Sequence, residues 1–376
     1  MNADALAFRH HDHNPQQDTD STFSQINLVT DSQTNLVSDG YAAAANVDPN
    51  LINPWGVSFP PDGPFWISDN GTGLASLKDG SGQPFTALPS ITIAAPPGQT
   101  TPSAPDGQVF NGSGGFDISQ GGKTGSSLFI FATEDGTLSG WNPAVNAGSS
   151  VIPIGGDNSK TGAVYKGLAI AQTNHGTMLY AANFGNGSVD VFNSNFTKVD
   201  SFTDPNVPKG YAPFNVQVLD GHLFVTFALQ DAAKHDDVAG AGHGFVDEFN
   251  LDGTHMQRVA SGGVLNSPWG LAIAPAGFGD FAGDLLVGNF GDGTINVFNP
   301  KNDHFVGKVD GSNGQPIVIQ DLWTLTIGSG PVDNPTAIYF TAGLQDEQHG
   351  LFGLLSANPE MQHSAMAPHG MHSMHG

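Results

Sequence analysis

The sequence predicts an all-β protein, a six-bladed β-propeller of four-stranded antiparallel blades, and three observations carry that reading. The first is vocabulary. The 376 residues include 50 Gly and 25 Pro, and only 12% are charged. Helices of soluble proteins use Glu, Lys and Arg on their wet faces, whereas Gly, Asn, Asp, Ser, Thr, Val and Phe build short strands and tight turns. The second is periodicity: no run of ten or more residues has a helical period, which excludes a TIM barrel or a Rossmann fold. The third is repetition. Six segments echo one another at steps of roughly 48 to 61 residues, a period that belongs to propellers and solenoids.

Each repeat opens on a short apolar strand: PWGVSF from Pro54, GGFDIS from Gly114, KGLAIA from Lys166, FNVQVL from Phe214, PWGLAI from Pro268 and LWTLTI from Leu322. A second strand and turn follow, as in FWISDNGTG, FIFATEDGT, LYAANFGNGS, FVTFALQD, LLVGNFGDGT and IYFTAGLQDEQHG. Four of these continue into a third strand, LSGW, VDVFN, VDEFN or INVFN. Asn-Gly and Asp-Gly pairs supply the positive φ that two-residue hairpins require. Gly after Trp in PWG lets inner strands approach closely around a narrow axis. An early strand, INLVTD or TNLVSDG, is expected to join the last blade and close the ring. The chain thus divides into a His-containing N-terminal segment (1–24), the propeller (25–357) and a Met/His-rich tail (358–376).

Composition excludes several functions. A formal charge of −24 at pH 7 disfavours nucleic acid and anionic membranes as partners. Without Cys there are no disulfides, no Cys-ligated zinc and no thiol catalysis. No apolar run approaches the roughly 18 residues needed to span a bilayer, and the first residues lack a signal peptide's apolar core. G-x-S-x-G, G-x-x-x-x-G-K-[ST] and H-E-x-x-H are absent, and GNGSVD and GDGTIN read as hairpin turns, not calcium loops. The expected partner is a small molecule or a metal ion, and a closed ring is expected to be a monomer.

The run NLVSDGYAAAANVDPNLINPWGVSFPPDGPFWISDNGTG resembles the start of a family of mostly secreted bacterial and fungal propellers, some with PEP-CTERM-type sorting tails. TEDGTLSGWNP, YKGLAIA, LYAANFGNGSVDVF, NSPWGLAIAP and GHGFVDEFNLDG extend the resemblance over roughly residues 35 to 356, and the pattern is also similar to NHL repeats. The resemblance implies the fold and an extracytoplasmic location, and it supplies no established activity.

Propeller topology gathers the loops before first strands, and those between second and third strands, on one face. That face collects Asn53, Asp69, Asn70, Glu134, Asp135, Lys166, Asn183, Asn215, Asn266, Asn289 and Asp321, with Trp55, Trp269 and Trp323 near the same entrance. Asp69, Asn70, Lys166, Asn183, Asn215 and Asn289 form the expected central funnel. Two loops there are not simple hairpins. Leu229–Gly244 and Leu344–Gly350 both begin Leu-Gln-Asp and end His-Gly. Together with Glu134 they offer Asp231, His235, His243, Asp346 and His349 to one mouth, a ligand set for a divalent ion such as Cu, Zn, Mn or Ca. Against this, turn Asp and Asn ordinarily bond their own backbone. Lys166 and Glu134 can pair with each other, and the Trp side chains can serve as core plugs. The tail adds His363, His369, His372 and His375 with Met366, Met371 and Met374, a set suited to copper, nickel or zinc. The first expectation is a binding propeller. The alternatives are a metal-dependent hydrolase or lyase, like the lactonase and amidating-lyase propellers the fold resembles, with His243 or His349 as base, and a scaffold for protein partners.

Overall fold

The computed structural model describes residues 30–328 and 333–357. Six antiparallel sheets follow one another along the chain. Blades 3, 4 and 5 show the repeat at its fullest. Blade 3 runs Tyr165–Thr173, Gly176–Asn183, Ser188–Asn193 and Lys198–Phe202, and blade 4 runs Tyr211–Leu219, His222–Leu229, Phe245–Phe249 and His255–Ser261. Each strand pairs with the next in order, from an inner strand at the axis to an outer one at the rim. Blade 1 opens with Pro54–Ser58, blade 5 with Pro268–Ile273 and blade 6 with Leu322–Ile327. Thr30–Ser38 pairs antiparallel with Leu351–Ala357 and supplies the fourth strand of blade 6, so the N-terminal strand closes the ring as expected.

Blade 2 departs from the reading above. Its inner strand is Pro105–Phe110, and the GGFDIS segment instead forms an inserted hairpin, Asp117–Gln120 with Lys123–Ser126. Pro105-Asp106-Gly107 occupies the place of Pro54-Trp55-Gly56 and Pro268-Trp269-Gly270, with Asp where the others carry Trp. The hairpin is seated by Phe116 and Ile118, both buried in the core shared by blades 2 and 3. The outer strand of this blade is reduced to isolated bridges, Gly140 with Val151 and Thr137 with Asp157.

One ring of residues sets the diameter of the axis. A Cβ on Gly56, Gly107 or Gly167 would overlap the neighbouring blade, and one on Gly270 would sit 2.6 Å from the Trp323 carbonyl oxygen. Asn215 and Thr324 complete the ring differently: Asn215 Nδ2 donates to the Trp269 carbonyl (2.8 Å) and Thr324 Oγ1 to that of Trp55 (2.7 Å). The residue just before each ring position is displaced by a local irregularity in strand register in all six blades. These residues are Trp55, Asp106, Lys166, Phe214, Trp269 and Trp323. Four are aromatic and pack as one buried cluster, with Trp55 stacked on Trp323 at 3.4 Å and Trp269 edge-on to both. Blades 2 and 3 put Asp106 and Lys166 there instead. The axis is thus plugged by aromatic rings with one polar sector. Beyond the plug lies a cavity of about 300 Å³, lined by uncharged residues of the inner strands.

Candidate functional site

The other side of the plug carries the polar mouth. Pairing of Pro54 with Asp69 and of Tyr165 with Asn183 places the start of each inner strand beside the end of the second strand, which gathers the loops of the expected face. The loop from blade 2 brings Glu134 to Lys166, whose side chain is only 2% exposed although its ammonium lies at the mouth. Lys166 Nζ pairs with Glu134 Oε1, reaches Asp236 Oδ1 at 3.4 Å and stands 5.0 Å over the Trp55 ring. His235 Nδ1 lies 2.9 Å from Asp236 Oδ1. Glu134, His235 and Asp236 each offer a ligand atom, and these atoms all lie within 4.8 Å of one another.

A line of amides connects this group to blade 6. Trp323 Nε1 donates to Asn53 Oδ1 (3.0 Å), and Asn53 Nδ2 donates to Glu347 Oε2 (2.6 Å) and to Asn70 Oδ1 (3.2 Å). Asn70 Nδ2 then donates to Glu134 Oε2 (2.9 Å). Glu347 reaches this position from a turn in which Gln345, Asp346 and Glu347 have φ of 57°, 53° and 66°. Left-handed backbone costs a non-glycine residue roughly 1–2 kcal/mol, so three in succession are an expensive way to hold a loop.

The charges answer to this packing. Burial and then the charge of Glu134 push the Glu347 carboxyl up to about 7. Burial, with Glu134 again second, holds Asp106 well above the usual carboxylate range, and its Oδ2 has no hydrogen-bond partner among the described residues. For Lys166, burial opposes the charge, but Glu134, Asp236 and Asp106 outweigh it and raise the pKa. The hydrogen bond with His235 draws Asp236 down to about 2, and the same bond raises His235. One buried cation therefore faces two carboxylates and two acids whose ionisation is suppressed.

The remaining sequence-predicted residues are placed elsewhere. His349 faces the closing strand: its Nδ1 is 2.6 Å from Asp39 Oδ2, and its ring stacks on Tyr41 at 4.1 Å. His243 Nδ1 lies 2.8 Å from the Val238 carbonyl oxygen, within its own loop. Neither is brought to the mouth group. Asp231 Oδ1 accepts from the backbone N–H of His235 (2.8 Å) and Asp236 (3.3 Å), so it caps the loop that carries them. Asp346 is exposed, and its backbone N–H donates to Asp321 Oδ2. Within the expected funnel, Asn70 and Lys166 reach the mouth. Asp69 is fully buried, with desolvation raising its pKa. Asn183 bonds Asp190 and local backbone, Asn215 belongs to the axial ring, and Asn289 bonds Asp292 of its own turn and ties that turn to the Val264 carbonyl. His363, His369, His372, His375, Met366, Met371 and Met374 lie outside the described residues.

Three members of the mouth were not expected from sequence: Asp106, Asp236 and Glu347. Asp106 was signalled by the Pro-x-Gly match to the Trp-bearing repeats. Asp236 and Glu347 adjoin His235 and Asp346, and nothing in the residue pattern distinguishes which neighbour turns inward. A second cluster lies towards the rim of blade 4, where Arg258 spans Asp204 and Asp247 with His255 nearby. There the Arg258 guanidinium engages both oxygens of Asp247 as well as Asp204 Oδ2, whereas at the mouth Lys166 takes one oxygen each of Glu134 and Asp236.

These features define a closed six-bladed propeller with a plugged axis and an acidic, lysine-centred mouth. By sequence, the chain belongs to the family of two Acanthamoeba polyphaga mimivirus proteins, uncharacterized proteins L690 and R648. It is 35% identical to L690 over 327 residues, covering 85% of this chain and 84% of the relative. It is 34% identical to R648 over 325 residues, covering 85% and 78%. The relatives found are viral, whereas the resemblance above pointed to secreted bacterial and fungal propellers. No family model matches the chain. Among solved structures it is similar to a streptogramin B lyase (13% identity, TM-score 0.49, 87% of this chain and 97% of the other). It is similar also to the WD40 propeller domain of Doa1 (10%, TM-score 0.46, 88% and 98%). Likeness at these identities extends to the fold alone. Among the described residues no helix is long and apolar enough to cross a membrane.

Proposed function

We propose that the protein is a binding propeller whose mouth holds a divalent cation, Mn(II) or Zn(II), between Glu134, His235 and Asp236. The observation that carries this is the meeting, within 4.8 Å, of a carboxylate from the blade 2 loop with an adjacent imidazole and carboxylate from the blade 4 loop. Mixed nitrogen and oxygen ligands suit these ions. Each carboxylate has about four lone-pair directions, so the bonds Glu134 makes to Lys166 and Asn70 leave it capacity for another partner. Nearby Glu347 and Asp106 add negative charge on ionising, which a bound cation would favour. The closed ring, whose blade edges pair within the chain, favours a monomer.

Titration of the full chain with Mn(II), followed by the loss of the free-ion EPR signal, tests the site. Glu134→Gln and His235→Ala should each lower affinity by at least about tenfold, because each removes a ligand atom. Equal uptake by the parent and both variants would place binding elsewhere and reject the reading.

A further inference from the structure

The line of amides beside the mouth has a fixed sense, set by a group that can only donate. Indole Nε1–H has no acceptor role, so its 3.0 Å contact identifies the Asn53 atom it meets as the carbonyl oxygen, Oδ1. Asn53 Nδ2 is thereby turned to Glu347 Oε2 and Asn70 Oδ1. With Asn70 Oδ1 committed, its Nδ2 is left to face Glu134 Oε2 at 2.9 Å. Lys166 holds the other Glu134 oxygen. Both oxygens of one carboxylate are therefore fixed, one from the blade 1 side and one from blade 3.

Backbone features support the same line. Asn70 N–H donates to the Asn53 carbonyl (3.1 Å), tying the two amide-bearing residues together. Gly343 leaves room for it, because a Cβ there would overlap Asn53 Oδ1 and sit 3.1 Å from Trp323 Nε1. The left-handed run at Gln345, Asp346 and Glu347 then delivers the Glu347 carboxylate to the far end. Strain of this kind clusters where a side chain's position matters to function.

We propose that Asn53, Asn70 and Glu347 are positioning residues that hold the Glu134 carboxylate in place for the cation. This rests on the reading of the mouth as a Mn(II) or Zn(II) site. Partners that orient a ligand typically contribute 10- to 100-fold to metal affinity. Asn53→Ala and Asn70→Ala should therefore weaken Mn(II) binding by about that factor while leaving every proposed ligand in place. Gly343→Ala should do the same by crowding Asn53.

The Glu347 pair separates positioning from charge. Gln keeps an oxygen able to accept from Asn53 Nδ2, so Glu347→Gln should bind within about threefold of the parent, whereas Glu347→Ala falls about tenfold or more. The measurements use the full chain, with circular dichroism and melting temperature recorded for each variant. Mn(II) is the chosen probe because carboxylates hold it well and thioethers poorly, which limits the Met-rich tail. Parent-like affinity in Asn53→Ala and Asn70→Ala would overturn the relay and leave the cation site standing. Equal losses in Glu347→Gln and Glu347→Ala would show that charge and not the hydrogen bond matters, and would also overturn it. No Mn(II) uptake by the parent would remove the site and the relay together.

Discussion

Glu347 shows how one side chain couples packing to pH. Its carboxyl sits at about 7 because burial, then Glu134, disfavour its charge, against roughly 4.3 in an unfolded chain. Between these values the folded state holds more protons than the unfolded one. Stability attributable to this residue is therefore full below about 4.3 and declines as pH rises to about 7. Glu347→Gln removes that slope without removing the side chain. Urea midpoints of parent and variant should draw apart from pH 5 to 7, with the variant gaining on the parent, and stay parallel above 8. Asp247, raised to about 7 by burial despite Arg258, is present in both proteins and cancels in the difference. A difference that stays flat with pH would show that Glu347 ionises alike in both states.

At the scale of an element, the blade 4 loop explains why topology located the mouth while residue type could not populate it. Leu229–Gly244 and Leu344–Gly350 share letters but not backbone. In the first, Asp231 turns back to cap the N–H groups of His235 and Asp236. In the second, the matching Asp346 lies in a left-handed run that gives its neighbour Glu347 to the mouth. The closing His residues diverge as well: His349 braces the closing strand through Asp39, and His243 meets its own loop. Strand alternation and the Trp-Gly repeats were legible because period and close approach leave marks in sequence. Glu134, His235 and Lys166 could be placed on the right face for that reason. Asp236, Glu347 and the true inner strand of blade 2 were hidden because a loop's dihedrals, or an inserted hairpin, decide them. The Asp231 cap can be tested directly. Asp231→Ala should weaken Mn(II) binding about tenfold, since it releases the segment bearing two ligands. The melting temperature should hold, because the Asp231 carboxylate is half-buried and bonds only N–H groups of its own loop. A large drop in melting temperature would instead make this loop part of the ring's stability.

At the scale of the molecule, the ring is a cycle of blade-to-blade contacts that covalent order closes at only one place. Every other blade is continuous in sequence, while blade 6 joins Leu351–Ala357 to Thr30–Ser38 from the opposite end of the domain. Leu36 and Val37 are buried there against Phe65, Ile67, Tyr339 and Phe352, so the closing strand belongs to the core between blades 6 and 1. Opening this seam would expose that apolar face and two sheet edges at once, which makes it the natural first step of unfolding. The seam offers a clean test because the chain has no Cys to compete. Ser32 and Ser356 face each other across it with hydroxyl oxygens 3.1 Å apart, and both are solvent-accessible. A disulfide from Ser32→Cys with Ser356→Cys would close a loop of over 300 residues, for which a gain of about 2–4 kcal/mol is typical, with loop length a weak guide to the measured value. The oxidised double variant should therefore unfold at higher urea and more slowly than the same protein reduced. If oxidation changes neither midpoint nor unfolding rate, the seam is not where the ring opens, and the weak point must be sought among the continuous blades, with the three-stranded blade 2 first.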